Sequence, residues 1–184
     1  MAATDFFTVE VWTLRGLVTY YVLFFMRLET RSVHIAGVTT SPNGAFMQQV
    51  ARNLTDVDDG FLANSRYLIM DRDTKYTDAF RGHLDREGVK PVRCPARAPN
   101  CNAFEERFVR SIREECLDRM ILFGEASLRR ALREYVLHYH TERNHQGLDN
   151  QLLKPLATVS STDGPIRCHE RLGGMLNFYY REAA

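Results

Sequence analysis

Asp5, Asp71 and the adjacent pair Glu105 and Glu106 are the side chains of this sequence whose type and placement suit metal-assisted chemistry. Two divalent cations about 3.5–4 Å apart need oxygen ligands delivered from separate elements. Asp5 opens one β-rich run, Asp71 closes another, and the glutamates follow a proline-containing loop on a helical stretch. Mg²⁺ favours such ligands and keeps several of its waters. Taken singly, each residue has a plainer role, because an aspartate at a strand end caps a turn and a helix glutamate faces water. On a helical wheel Glu105 falls closer than Glu106 to the arc of Phe104, Phe108 and Ile112, so spacing alone turns Glu105 inward.

The cationic candidates are local. Arg93, Arg97, Arg107, Arg110 and Arg113 flank the loop and form the one basic cluster suited to phosphates, with Lys75 after Asp71 as a further contact; the alternative is a merely solvated face. Glu106, Arg110 and Arg113 share a helix face, which either turns a carboxylate and two cations towards one ligand or pairs Glu106 with Arg110 at i,i+4. His138, His140 and His145 lack a convincing zinc spacing, and Cys94, Cys101, Cys116 and Cys168 contain no CxxC pair, so these thiols are expected in the core or in loops.

Positioning these groups requires a sheet. Thr4 to Trp12 and Leu17 to Phe25 are β-branched and aromatic runs around Leu14-Arg15-Gly16, which signals a hairpin, and Val33 to Thr39 supplies a third strand. Ala45 to Leu54 has helical spacing with Asn43 or Ser41 as a cap; Tyr67 to Asp71 reads as a strand, Thr77 to Arg86 as a helix and Val89 to Arg93 as a strand. Cys94 to Asn100, with two prolines, predicts a mobile loop, and Asn102 to Ile121 and Ser127 to His140 predict two long helices. The order β-β-β-α-β-α-β-α-α implies a mixed five-stranded sheet flanked by helices, an α/β fold. A core over residues 1–148 and a mostly irregular extension over 149–184 complete the expected organisation.

At 184 residues, with 45% hydrophobic and 26% charged residues, the chain suits one globular domain rather than a disordered, collagenous or disulfide scaffold. A net charge of +1 provides no global footprint for nucleic acid, so any DNA affinity is expected to be weak, salt-sensitive and nearly sequence-independent. The most apolar stretch, Gly16 to Met26, is too short to span a bilayer and reads as a buried strand, and no signal peptide is recognisable, so a cytoplasmic protein without a membrane partner is expected.

Four words in order carry a resemblance: Thr4-Asp5-Phe6-Phe7; Asp71-Arg72-Asp73-Thr74-Lys75-Tyr76-Thr77; Asn102-Ala103-Phe104-Glu105-Glu106-Arg107-Phe108; and Tyr139-His140-Thr141-Glu142-Arg143-Asn144-His145-Gln146-Gly147-Leu148. Together they resemble the catalytic core of retroviral-integrase-like transposases from bacterial insertion sequences. The resemblance implies a ribonuclease-H-like fold and an Asp, Asp, Glu triad of metal ligands at Asp5, Asp71 and Glu106, the last two 35 positions apart. It further implies two Mg²⁺ ions, with Mn²⁺ able to substitute, and hydrolysis at a transposon end followed by attack of the freed 3′-hydroxyl on target DNA. The implied partners are transposon-end and target DNA, further copies of the chain, and a helix-turn-helix segment upstream or on a separate protein. Alternatives are an inactive DNA-binding or assembly remnant and a nuclease that only hydrolyses. Glu105 and Asp73 are extra carboxylates expected either to raise a neighbour's pKa or to disturb the metal site, and with four residues ahead of Asp5 the first strand is expected to fray.

Overall fold

The computed structural model describes residues 1–95, 102–155 and 164–182. Its contacts divide the chain into two compact units, Met1–Val109 and Arg110–Ala184. The first unit holds β1 (Ala2–Thr13), β2 (Gly16–Arg27), β3 (Val33–Thr39), α1 (Gly44–Leu54), β4 (Tyr67–Met70), α2 (Asp78–Arg86) and β5 (Lys90–Arg93); α3 (Ala103–Glu115) crosses the boundary. The strands form one sheet in the order β3-β2-β1-β4-β5, with β1 antiparallel to β2 and parallel to β4.

Local chemistry accounts for most of these elements. Gly16, at φ 104°, takes the left-handed turn that joins β1 to β2. Asn43 caps α1 by accepting from the Phe46 amide at 3.0 Å, and Thr77 caps α2 by accepting from the Phe80 amide at 3.2 Å. Gly37 lets β3 approach α1, since a Cβ there would lie 2.6 Å from the Phe46 ring.

β2 is buried without interruption from Val22 to Met26 because both of its faces are covered. Leu23 and Phe25 join Met47, Val50 and Leu54 of α1 and Phe80 and Leu84 of α2 in one core. On the opposite face Phe24 meets Phe108 of α3, ring centres 4.9 Å apart. The expected fraying of β1 is not seen. Ala2, Ala3 and Thr4 are buried, Ala2 pairs with Arg27, and the Leu28 amide donates to the Met1 carbonyl at 3.1 Å.

The second unit contains a 3-10 turn (Leu117–Arg119), α4 (Gly124–Thr141), and the antiparallel pair β6 (Ile166–Arg171) and β7 (Leu176–Arg181). The helix expected to run to Ile121 ends at Glu115. Cys116 and Leu117 are both buried where the chain tightens into the 3-10 turn. The region 149–184, expected to be mostly irregular, contains the β6–β7 pair. Buried Glu142 of this unit, just after α4, accepts from Arg171 Nη2 at 2.7 Å, His169 Nδ1 at 2.8 Å and His138 Nδ1 at 2.9 Å, and this ties the end of α4 to β6. Glu115 likewise receives the Tyr135 hydroxyl at 3.0 Å and the Arg143 guanidinium at 2.7 Å. Among the described residues no helix is long and apolar enough to cross a membrane.

Candidate active site

Parallel pairing of β1 and β4 sets the geometry. The ladder comprises Ala2 with Leu68 and Ala3 with Ile69, so Asp5 and Asp71 each lie two residues beyond the last pair, level with one another where the strands part. In an open α/β sheet the crevice outside the carboxyl ends of the strands is where ligands bind. Arg93, exposed and paired with Met70 across β4 and β5, ends at the same edge.

Asp5 sits in the central strand with Oδ1 accepting the Phe6 amide at 2.7 Å. Burial pushes its carboxyl up to about 6 against that hydrogen bond, and the charges of Asp71, Glu106 and Asp73 push the same way. Asp71 and Glu106 are therefore each within electrostatic reach of Asp5. Their donor chemistry fits a hard divalent cation, and so does the repulsion that Asp71 and Glu106 exert on Asp5. Among the described residues, however, no three His, Cys, Asp or Glu side chains converge closely enough to hold a metal ion as they stand.

α3 supplies both glutamates, in different settings. Glu106 is exposed, whereas Glu105 is fully buried on the stripe that also carries Phe108, as the wheel indicated. Neither carboxylate oxygen of Glu105 has a hydrogen-bond partner. Burial pushes Glu105 up to about 7 against the pull of its own backbone amide, with Asp5 and Glu106 adding repulsion and Arg31 countering it. The Arg31 guanidinium stacks 3.2 Å from the centre of the neighbouring Phe104 ring.

The Asp71 turn has neighbours that the sequence only hinted at. Asp71 Oδ1 accepts the Asp73 amide at 2.9 Å, and Arg72 Nε reaches the Cys94 carbonyl at 3.1 Å. Tyr76 is buried between Phe6 and Phe80, and its hydroxyl is held well above the usual range by burial, with Asp5, Asp71 and Asp73 adding to the effect. The Asp-x-Asp-x-Lys spacing at 71–75 was the available signal for this self-bonded turn. Lys75, expected on DNA, is half-buried and paired with Asp73. Burial raises the Asp73 carboxyl, but the bonds from Lys75 outweigh it and hold the group below its ordinary value.

Of the other expected cations, Arg107 is exposed on α3 beside Glu106, Arg110 and Arg113 belong to the second unit, and Arg97 lies outside the described residues, as does most of the expected mobile loop. Cys94 and Cys116 are buried thiols, as expected, Cys168 is exposed, and Cys101 lies outside the described residues. The histidines are in structural use. His138 bonds Glu142, and His145 Nε2 donates to the Tyr139 carbonyl at 2.8 Å. His140 is held down to about 4 by burial, with the Lys154 and His145 charges adding.

The integrase core domain family matches residues 87–152. No curated protein matches the sequence. Among solved structures, the HTLV-2 integrase catalytic core domain in complex with magnesium, a trimeric form, superposes with a TM-score of 0.59 at 8% identity, covering 83% of this chain and 91% of that one. A chain of the simian T-cell lymphotropic virus intasome in complex with PP2A regulatory subunit B56 gamma gives 0.57 at 10% identity, covering 97% of this chain and 66% of its own length. The catalytic core domain of BIV integrase gives 0.53 at 12%, covering 79% and 86%. The chain thus has the ribonuclease-H-like α/β fold of integrase catalytic cores, a mixed five-stranded sheet flanked by helices, and residues 87–152 match the integrase core domain.

Proposed function

We propose that this chain is the catalytic core of a DNA transposase or integrase, a metal-dependent polynucleotidyl transferase that hydrolyses at a DNA 3′ end and then transfers the strand. The observation that carries this is the placement of Asp5 and Asp71 level at the parting of two parallel strands, with the α3 glutamate Glu106 within electrostatic reach of Asp5. Asp5, Asp71 and Glu106 are the residues that would hold two Mg²⁺ ions, or Mn²⁺ in their place. Such ions supply polarisation of the scissile phosphate and a more acidic attacking water or hydroxyl.

The chain's own part is to position and to neutralise. Asp71 is oriented by the Asp73 amide and Asp5 by the Phe6 amide. Arg93 and Arg107, both exposed, are placed to contact phosphates, with Arg110 and Arg113 further along the helix of Arg107; Arg97, outside the described residues, is the further candidate. DNA ends and target DNA are the partners, together with further copies of the chain and a helix-turn-helix segment or protein. We assign the core to 1–148 and place the protein in the cytoplasm. Glu105, beneath the helix rather than at its edge, is left out of the ligand set.

The test is nicking and joining of a transposon-end duplex with Mg²⁺ or Mn²⁺. Asp71→Asn and Glu106→Gln are expected to lose about 10³-fold, several kcal/mol of transition-state stabilisation, while Glu105→Ala retains metal-dependent activity. Equal activity of Asp71→Asn and wild type overturns the proposal, and loss in Glu105→Ala with survival of Glu106→Gln reassigns the ligand. Mg²⁺ at ten times its Kd is also expected to stabilise the folded chain by about 1.4 kcal/mol, an effect that Asp71→Asn shrinks without destabilising the metal-free protein.

A further inference from the structure

The turn that follows β4 is bonded to itself. Asp71 Oδ1 accepts the Asp73 amide at 2.9 Å, Asp73 Oδ1 accepts the Lys75 amide at 2.8 Å, and the Lys75 ammonium donates to Asp73 Oδ2 at 2.5 Å. The same ammonium lies 5.5 Å from the centre of the Phe6 ring and 5.6 Å from that of Tyr21. Phe6 adjoins Asp5 on β1, and Tyr21 lies across the ladder on β2, opposite Thr8. One side chain therefore links the turn carrying Asp71 to the strand carrying Asp5.

A lysine that serves a phosphate presents a free, hydrated ammonium as a point charge. This one is engaged by a carboxylate and two aromatic faces, with 27% of its side chain exposed. Its charge also offsets that of Asp73, which otherwise adds to the repulsion at Asp5. Residues that orient a functional carboxylate through hydrogen bonds are worth about 10–100-fold in sites of this kind.

We infer that Lys75 is a positioning residue and not a DNA contact: paired with Asp73 and set over Phe6 and Tyr21, it holds the 71–76 turn on β1 and β2 and thereby fixes the Asp71 carboxylate. The role of Asp71 itself rests on the proposal of the preceding subsection.

The experiment uses the full chain with Lys75→Met, Lys75→Arg and Asp73→Asn, and two readouts. The first, amide hydrogen exchange at Asp73 and Lys75 by NMR, needs neither metal nor DNA. Lys75→Met is expected to speed exchange at both amides about 10-fold or more, and Lys75→Arg to restore most of the protection. Asp73→Asn, which keeps an acceptor for the Lys75 amide but removes the ion pair, is expected to loosen the same two amides and carries the test should Lys75→Met fail to fold. The second readout is nicking kinetics with the salt dependence of DNA binding. The expected result is kcat down by about 10-fold with KM and the salt slope unchanged. Unchanged exchange in Lys75→Met and Asp73→Asn overturns the inference whether or not the chain cuts DNA. A raised KM with a salt slope smaller by about one, and kcat intact, overturns it in favour of a phosphate contact. If wild type and Asp71→Asn are equally inactive, the proposed function fails, and the exchange result still decides the role of Lys75.

Discussion

Glu105 and Glu142 are both removed from solvent and behave in opposite ways. Glu105, in the first unit, has two oxygens without hydrogen-bond partners and is pushed up to about 7 by burial and by its acidic neighbours. Glu142, in the second, is lowered to about 2: burial would raise it, but hydrogen bonds from Arg171, His138 and His169 outweigh that. Burial therefore does not decide what a carboxylate does; the donors around it do. In the second unit charge is spent on architecture, joining the end of α4 to β6. The first unit gathers mutually repelling carboxylates around Asp5, where cation binding is proposed, and perturbed groups of this kind concentrate at functional sites.

Breaking the paired carboxylate should have the largest effect. Arg171→Met strips Glu142 of its guanidinium and leaves a buried charge, at an expected cost of about 3–5 kcal/mol. Calorimetry of the variant checks this, and a loss under 1 kcal/mol would show that the two histidines suffice and that the contrast between the units is overstated.

Removing the orphan should act the other way. Glu105→Met fills the site with an apolar chain and is expected to stabilise the protein by about 1–3 kcal/mol at pH 8. At pH 5, where the buried carboxyl is already neutral, the gain should shrink. A destabilised variant at pH 8 would mean that Glu105 has a favourable partner and is not the counterpart of Glu142.

A smaller effect, on the order of 1 kcal/mol, separates the units by pH. Asp5 and Glu105 have raised pKa values in the folded state, so their stability is complete below the ordinary carboxyl range and is lost as pH rises through about 6 and about 7. His140 and Glu142 have lowered ones, so stability is present at neutral pH and is lost as pH falls from 6.5 towards about 4, then from 4.5 towards about 2. Hydrogen exchange between pH 5 and 8, corrected for intrinsic rates, should show amides of the first unit opening less readily towards acid, the two carboxyls outweighing the lowered His34, and those of the second more readily. The same sign in both units would break the comparison.

Much of the first unit was legible in the sequence because its signals are local. The apolar runs of β1 and β2, the Asn43 and Thr77 caps and the turn at Gly16 follow from spacing and from the chemistry of neighbours in the chain. The inward face of Glu105 also followed, since helical period places it on the Phe108 stripe. Less visible were features that depend on distant partners. β6, with Arg167, His169, Glu170 and Arg171 in six residues, lacks the alternation of a half-buried strand; its pairing with β7 and its bonds to Glu142 stand in for an apolar face.

The amino-acid order by itself determined the strands and helices of the first unit up to β5, and it marked Asp5, Asp71 and two candidate glutamates, because periodicity and capping act within a few residues. The tertiary structure alone decided that the inward Glu105 carboxylate meets no side-chain donor, that Lys75 meets Phe6 and Tyr21, and that Asp5 and Asp71 lie level. Each of these depends on strand register and on which groups cross the sheet, and electrostatic and hydrogen-bond partners at long sequence separation leave no periodic trace in the chain.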